Sequence, residues 1–222
     1  MDKTRKRRLT MWIALPIIVL LALVASVGAR VAWLATPTSG APIIAYPTPG
    51  VALVVLDIQN DTLQLGYSNP DAVLSQINQV ITSADGQGVP VAYVRQVLAN
   101  PIDRALTGGR YAPGTPGAEL AAMLTQTGSN VFEKARSDAF SNPDFEGFLV
   151  AHQVSTLVLV GADASACVRT TALGALNRHY QVTVITDATF SITPTSGTKA
   201  YNDLQTAGAT LTTWTDFPGW IT

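Results

Sequence analysis

Apolar and polar positions follow two different rules along this chain. From Met11 to Ala29 no charge interrupts the apolar run, MWIALPIIVLLALVASVGA. After residue 50 the apolar stretches are short and spaced by segments with helical periodicity. Residues 51–56 form a continuous apolar run, the mark of a strand buried on both faces of a parallel sheet. Residues 71–84 place Val73, Leu74, Ile77, Val80 and Ile81 at helical spacing, with Asn69-Pro70 ahead as a start signal. The same reading predicts strands at residues 89–94, 130–132, 155–160, 182–185 and 210–214. It predicts helices at 117–125, 143–152, 167–178 and 198–207. Strands alternate with helices throughout, which predicts a three-layer α/β/α fold with a mostly parallel sheet of about six strands. The stretch 95–116 carries no such pattern and is predicted to be a long loop, a length that usually marks function or mobility.

The first apolar run is long enough to cross a bilayer, which takes about 20 residues of helix. Pro16 is tolerated near the end of such a span. Basic residues at 3–8 precede it, which predicts a cytoplasmic N-terminus and a translocated remainder. A cleaved signal peptide is the rival, since Val27-Gly28-Ala29 resembles a small-residue cleavage site. The run exceeds the usual signal core of about 7–15 residues, which favours an uncleaved anchor over a secreted product. Residues 35–50, rich in Pro, Thr and Gly, read as an extended tether without a core of its own. The organisation is therefore a basic cytoplasmic segment (1–10), a transmembrane anchor (11–34), a tether (35–50) and a globular domain (51–222).

Charge sharpens this division. Residues 1–30 carry six Lys or Arg against one acid, while residues 31–222 carry eight basic and fourteen acidic side chains. A domain with that balance is a poor partner for nucleic acid, which needs clustered Lys and Arg. The single cysteine rules out an intramolecular disulfide and any Cys-rich metal centre.

Ligands of open α/β sheets bind beyond the carboxyl ends of the strands. At those ends the sequence places Asp57, Gln59, Asn60 and Asp61, then Arg95, then Glu133 and Lys134, then a small-residue turn leading to Cys167, then Asp187. A carboxylate, an amine and a thiol thus converge on one edge from three strands. Cys167 falls on the first turn of a predicted helix, where the partial positive charge favours the thiolate; most lone cysteines are instead small buried hydrophobes. The two histidines are badly placed. His152 precedes the fourth strand, roughly 20 Å from its other end, and His179 lies roughly 18 Å along the helix from Cys167. A base for Cys167 must then be a carboxylate, and Asp57 is best placed. An Asp that ends a buried apolar strand must offset its desolvation, or else cap a turn.

Three segments, Leu56-Asp57-Ile58-Gln59-Asn60-Asp61, Lys134-Ala135-Arg136-Ser137-Asp138-Ala139-Phe140 and Gly161-Ala162-Asp163-Ala164-Ser165-Ala166-Cys167-Val168, together resemble the isochorismatase-like cysteine hydrolase superfamily. The resemblance covers about residues 50–215. It implies that Asp57 takes the thiol proton, that Lys134 lowers the thiol pKa and orients Asp57, and that Cys167 attacks a carbonyl carbon. It implies a cis peptide at Ala162–Asp163 and an oxyanion hole from the N–H groups of Asp163 and Cys167, where one donor is typically worth about 3 kcal/mol. Gln59, Arg95 and Phe140 are the candidate substrate contacts. Asp163 stands where relatives often carry Ala, and would repel an anionic substrate if it faced the pocket. The nicotinamidase metal site uses histidines after the second strand, and residues 95–116 contain none, so no metal and no other cofactor is expected. A thiol points to C–N bond hydrolysis of a small amide or ureide. The alternatives are an isochorismatase-type vinyl-ether hydrolase, with Arg95, Arg104 and Arg110 as carboxylate partners, and a silent ligand-binding domain. Homo-oligomers are common in the family.

Overall fold

The computed structural model describes residues 3–220, and the side chains of residues 15–220. The chain divides into two units at residues 34 and 35. The first is helix α1, Lys3–Ala35, which runs through Pro16. Its stretch Leu15–Ala35 has a mean hydropathy of 2.3 and is long and apolar enough to cross a membrane, a property a signal sequence shares. The side chains of the basic cluster at residues 3–8, and of the anchor at 11–14, lie outside the described residues.

The second unit follows the predicted alternation. Its elements are β1 (Gly50–Leu56), α2 (Asn60–Leu63), α3 (Pro70–Gly86), β2 (Val91–Gln96), α4 (Pro101–Leu106), β3 (Val131–Lys134), α5 (Pro143–Ala151), β4 (Val154–Gly161), α6 (Arg169–Leu176), β5 (Gln181–Thr189), α7 (Pro194–Thr206) and β6 (Thr210–Thr212). The six strands form one sheet in the order β3-β2-β1-β4-β5-β6, and every neighbouring pair is parallel. Two cores result, one per face. Ala52, Val54 and Leu56 pack with Phe145 and Leu149 of α5, Ala172 and Ala175 of α6 and Leu204 of α7. Leu53 and Val55 point the other way, onto Leu74, Ile77, Val80 and Ile81 of α3. That is why β1 reads as an unbroken apolar run: its alternate residues fill both cores.

The order places β1 beside β4, at the point where successive strands begin to add on the opposite side. In open α/β sheets such a switch point leaves a crevice beyond the strand ends. Asp57 follows β1 and the Cys167 turn follows β4, so both flank it.

Three local expectations need correction. Residues 117–125 do not wind into a helix beyond a single 3-10 turn, Pro116–Ala118. Their backbone is taken by the loop after β1: Asn60 donates to Glu119 O at 3.1 Å and Ala121 to Ile58 O at 2.9 Å. The stretch 95–116 is not all loop, because it holds α4. Asn100 caps that helix by accepting from the Ile102 N–H, and Pro101 sits at its first position, a start signal present in the sequence. Asp187 does not end β5. The strand continues to Thr189, and the Asp187 carboxylate accepts from Trp214 N–H at 2.8 Å, fastening the chain after β6.

Residues 37–46 contain neither helix nor strand, and their first part is fastened to the domain. Thr38 donates its N–H and its hydroxyl to Asp138 Oδ2, both at 2.7 Å. Arg178, itself buried, donates to Thr38 Oγ1 at 3.0 Å and to Ser39 O at 3.2 Å.

Candidate active site

The site is assembled from strand ends. β1 stops at Leu56 because Asp57 turns its backbone into the left-handed region, φ +54°. A non-glycine residue there costs on the order of 1–3 kcal/mol and persists only where its surroundings hold it. The Asp57 N–H donates to Val94 O at 2.8 Å, and its carbonyl accepts from Gln59 N–H at 2.9 Å. The residue is 4% exposed.

β3 lies two strands from β1, about 10 Å away at roughly 4.8 Å per strand. Lys134, its last residue, is long enough to cross that gap. Its Nζ donates to Asp57 Oδ2 at 2.8 Å, to Gln96 Oε1 at 2.7 Å and to Cys167 Sγ at 3.3 Å. One ammonium therefore touches the carboxylate and the thiol together, and Lys134 is 3% exposed. Asp57 Oδ1 is buried and has no fixed partner.

β4 ends at Gly161, φ +120°, where a Cβ would lie 2.1 Å from Leu56 O, so only glycine fits. The Ala162–Asp163 peptide is cis. A π-helical turn, Ala164–Val168, then carries Cys167 into α6. The thiol thus sits on a wide turn ahead of the α-helix rather than on its first turn. Asp163 O accepts from Ala166 and Val168, and this pattern passes over the Cys167 N–H. The Asp163 carboxylate accepts from Ser165 N–H at 2.7 Å and Ile192 N–H at 3.0 Å. Those bonds make it the brace of its own turn.

Charge and burial decide the resting protonation. Burial pushes the Cys167 thiol up and the Asp57 charge adds to this; Lys134 pulls it back only in part, leaving it at about 12. The net shift of the thiol is therefore upward although Lys134 lowers it, because desolvation and the neighbouring anion outweigh one cation. For Lys134, burial pulls the ammonium down, but Asp57 and then Cys167 more than compensate, and its pKa rises.

Four of the other expected contacts, Gln59, Arg95, Phe140 and Arg110, have partners of their own. Gln59 is fully buried and its amide is used up on backbone: Nε2 donates to Gln96 O at 2.9 Å and Ala118 O at 2.7 Å, and Oε1 accepts from Gln96 N–H at 2.8 Å. Arg95 points to the opposite side from Gln96 and pairs with Glu119 and Glu133. Phe140 belongs to the core, edge-on to Phe145 with ring centroids 5.1 Å apart, with the Arg178 guanidinium over its face. Arg110 donates to Thr107 O at 3.0 Å. His152 bonds Phe148 O at the end of α5, and His179 forms the turn after α6.

The sequence reading missed Gln96, Tyr67 and Tyr111. Both phenols are raised, first by burial; Tyr67 then responds to Asp163, Tyr111, Cys167 and Asp57, and Tyr111, held near 12, to Asp57 and Cys167. They stand within electrostatic reach of the thiol. Tyr67 packs on Phe190 at 4.9 Å, and Tyr111 shares a hydrogen bond with Thr62 Oγ1 at 3.2 Å. Both come from loops without periodicity, so no sequence signal marked them. Among the described residues no three His, Cys, Asp or Glu side chains converge.

Residues 51–216 match the isochorismatase domain. A probable inactive nicotinamidase of Arabidopsis thaliana is 30% identical over 185 residues, 74% of this chain and 94% of that one. Among solved structures, an isochorismatase family protein of Desulfovibrio vulgaris is 30% identical with a TM-score of 0.66, covering 76% of this chain and 96% of its own. The N-carbamoylsarcosine amidase of Thermoplasma acidophilum is 28% identical with a TM-score of 0.66, covering 77% and 99%.

Proposed function

This chain belongs to the isochorismatase family, and from that premise we propose that it is a cysteine hydrolase that cleaves a C–N bond of a small amide or ureide. The observation that carries the reading is the Lys134 ammonium in contact with both the Asp57 carboxylate and the Cys167 sulfur. In the proposed first step Asp57 takes the thiol proton as Sγ attacks the carbonyl carbon. Asp57 Oδ1, buried and without a fixed partner, is the free acceptor this step requires. In this reading proton removal accompanies attack. The carbonyl π electrons move to oxygen, and the N–H groups of Asp163 and Cys167 stabilise the oxyanion. Collapse expels the amine, which receives the proton from Asp57, and leaves a thioester on Cys167. Water then attacks the thioester with Asp57 again as base, releasing the acid and restoring the thiol. Lys134 stays charged throughout and stabilises the developing thiolate.

The test is turnover of a panel of small primary amides and ureides by the purified full chain, wild type against Cys167→Ser. Loss of turnover in the variant supports the reading. Equal turnover overturns it. A silent binding domain is the second reading, favoured by the elevated thiol and by the relative named as probably inactive. It predicts no turnover of any panel member by the wild type. The vinyl-ether reading loses Arg95 as a carboxylate partner, since two glutamates already hold it.

We further propose that α1 is an uncleaved anchor with its basic end in the cytoplasm and the hydrolase unit outside, following the rule that Lys- and Arg-rich flanks stay inside. Protease added to intact cells digests the hydrolase unit if this is right and spares it if the orientation is reversed.

A further inference from the structure

We propose that Gln96 is a positioning residue that holds the Lys134 ammonium against the Cys167 sulfur, and that Gln59 in turn holds Gln96. This inference rests on the hydrolase reading above and adds to it two residues that never touch the reacting atoms.

An ammonium has three N–H donors and accepts nothing. The Lys134 ammonium has three acceptors, and the shortest contact is the neutral one, Gln96 Oε1 at 2.7 Å. Gln96 and Lys134 are direct partners in the parallel β2–β3 ladder, which puts both side chains on one face of the sheet. The neutrality matters. Asp57 grips Lys134 by charge only until it accepts the thiol proton. As that proton moves, the ammonium is held by the developing thiolate and by Gln96. An amide oxygen does not titrate, so its hold is the same before and after the proton moves. A second carboxylate there would instead offset the cation's pull on the sulfur.

Gln96 needs a rigid backbone for this. The β1–β2 ladder ends at Leu56 and Val94, since Asp57 turns away. Beyond that point Gln96 has no strand on its β1 side. The buried Gln59 amide supplies the missing edge, bonding both the N–H and the carbonyl of Gln96. Gln59 is thus a side-chain substitute for a strand.

The probe is iodoacetamide on the purified full chain, with covalent addition read by mass. Cys167 is the only cysteine, so the signal reports one site. Rates are measured from pH 6 to 10 for wild type, Lys134→Met, Gln96→Met, Gln59→Met and the Gln59/Gln96 double variant. Gln96→Met is expected to slow alkylation at pH 7.5 by about tenfold, equivalent to about one pKa unit, and to move the profile to higher pH. Gln59→Met gives a smaller shift in the same direction and adds none in the Gln96→Met background. A purely structural role lowers stability and leaves the pH profile in place. If Lys134→Met moves the profile and Gln96→Met does not, the inference is overturned and the hydrolase reading stands. If Lys134→Met does not move it either, the hydrolase reading falls and takes the inference with it. Should Gln96→Met fail to fold, Gln96→Glu keeps the size and an acceptor oxygen; its profile moves to higher pH if the proposal holds, and an unmoved profile overturns it.

Discussion

Replacing Thr38 by Val tests whether the tether is part of the folded domain. Val keeps the shape and the backbone N–H bond to Asp138 and removes only the hydroxyl. That hydroxyl donates to Asp138 Oδ2 at 2.7 Å and accepts from Arg178 Nη1 at 3.0 Å. Asp138 is fully buried, and Arg178 is 3% exposed. A hydrogen bond to a charged group contributes about 1.5–3 kcal/mol, and both of these involve one. Because they share one oxygen they do not add in full, so the expected loss is about 3 kcal/mol. For a chain of this size that lowers Tm by about 6–12 °C. The sign with pH follows from Asp138. Burial raises its carboxyl above the ordinary value, and the Thr38 bonds work against that rise. A raised folded pKa means stability that is complete below the unfolded value and is lost as pH climbs through the folded one. Removing the hydroxyl lifts the carboxyl further, so the variant loses most at neutral pH and the gap narrows in acid. The assay is thermal unfolding of the full chain at pH 7.5 and pH 4.5, within a double-mutant cycle using Asp138→Asn. In the Asn background the Thr38→Val cost should shrink. A Tm change under about 1 °C, or an equal drop in both backgrounds, would refute the argument.

Three further outcomes follow from the site. Lys134→Met leaves Asp57 as an unpaired buried charge; breaking such a pair costs about 3–5 kcal/mol, so chemical denaturation should show a markedly lower midpoint along with loss of amide turnover. Gly161→Ala puts a Cβ 2.1 Å from Leu56 O at φ +120°, so this variant should accumulate as insoluble protein, whereas Gly86→Ala, with open space around it and no positive φ, should remain soluble. Cys167 is held at about 12, above its ordinary value, so it stabilises the fold fully below the unfolded thiol pKa and loses that contribution as pH rises toward 12; Cys167→Ala should flatten the fall in Tm between pH 8.5 and 10.5, and an unchanged slope would rule the thiol out as its source.

The order of apolar runs was enough to specify the architecture. Residues 51–56 read as a strand with both faces buried, and the strands after it alternate with helical stretches, so a parallel α/β sheet follows from the order of the elements. The ends of those strands also fixed where Asp57, Lys134 and Cys167 must lie, because the polar residue that ends a buried strand has nowhere else to go. What the sequence could not specify is what each polar side chain faces once the loops close. Gln59 reads as a substrate contact and turns out to hold a neighbouring strand end; Gln96 reads as part of a long loop, ends a strand and touches the ammonium. The Pro- and Thr-rich tether lacks periodicity, so its grip on Asp138 and Arg178, a hundred or more residues away, left no local trace. Nor could position on a helix predict the thiol's protonation. Helix-terminal charge is a local property written in the chain, whereas desolvation and the Asp57 charge exist only after three strands have brought their ends together.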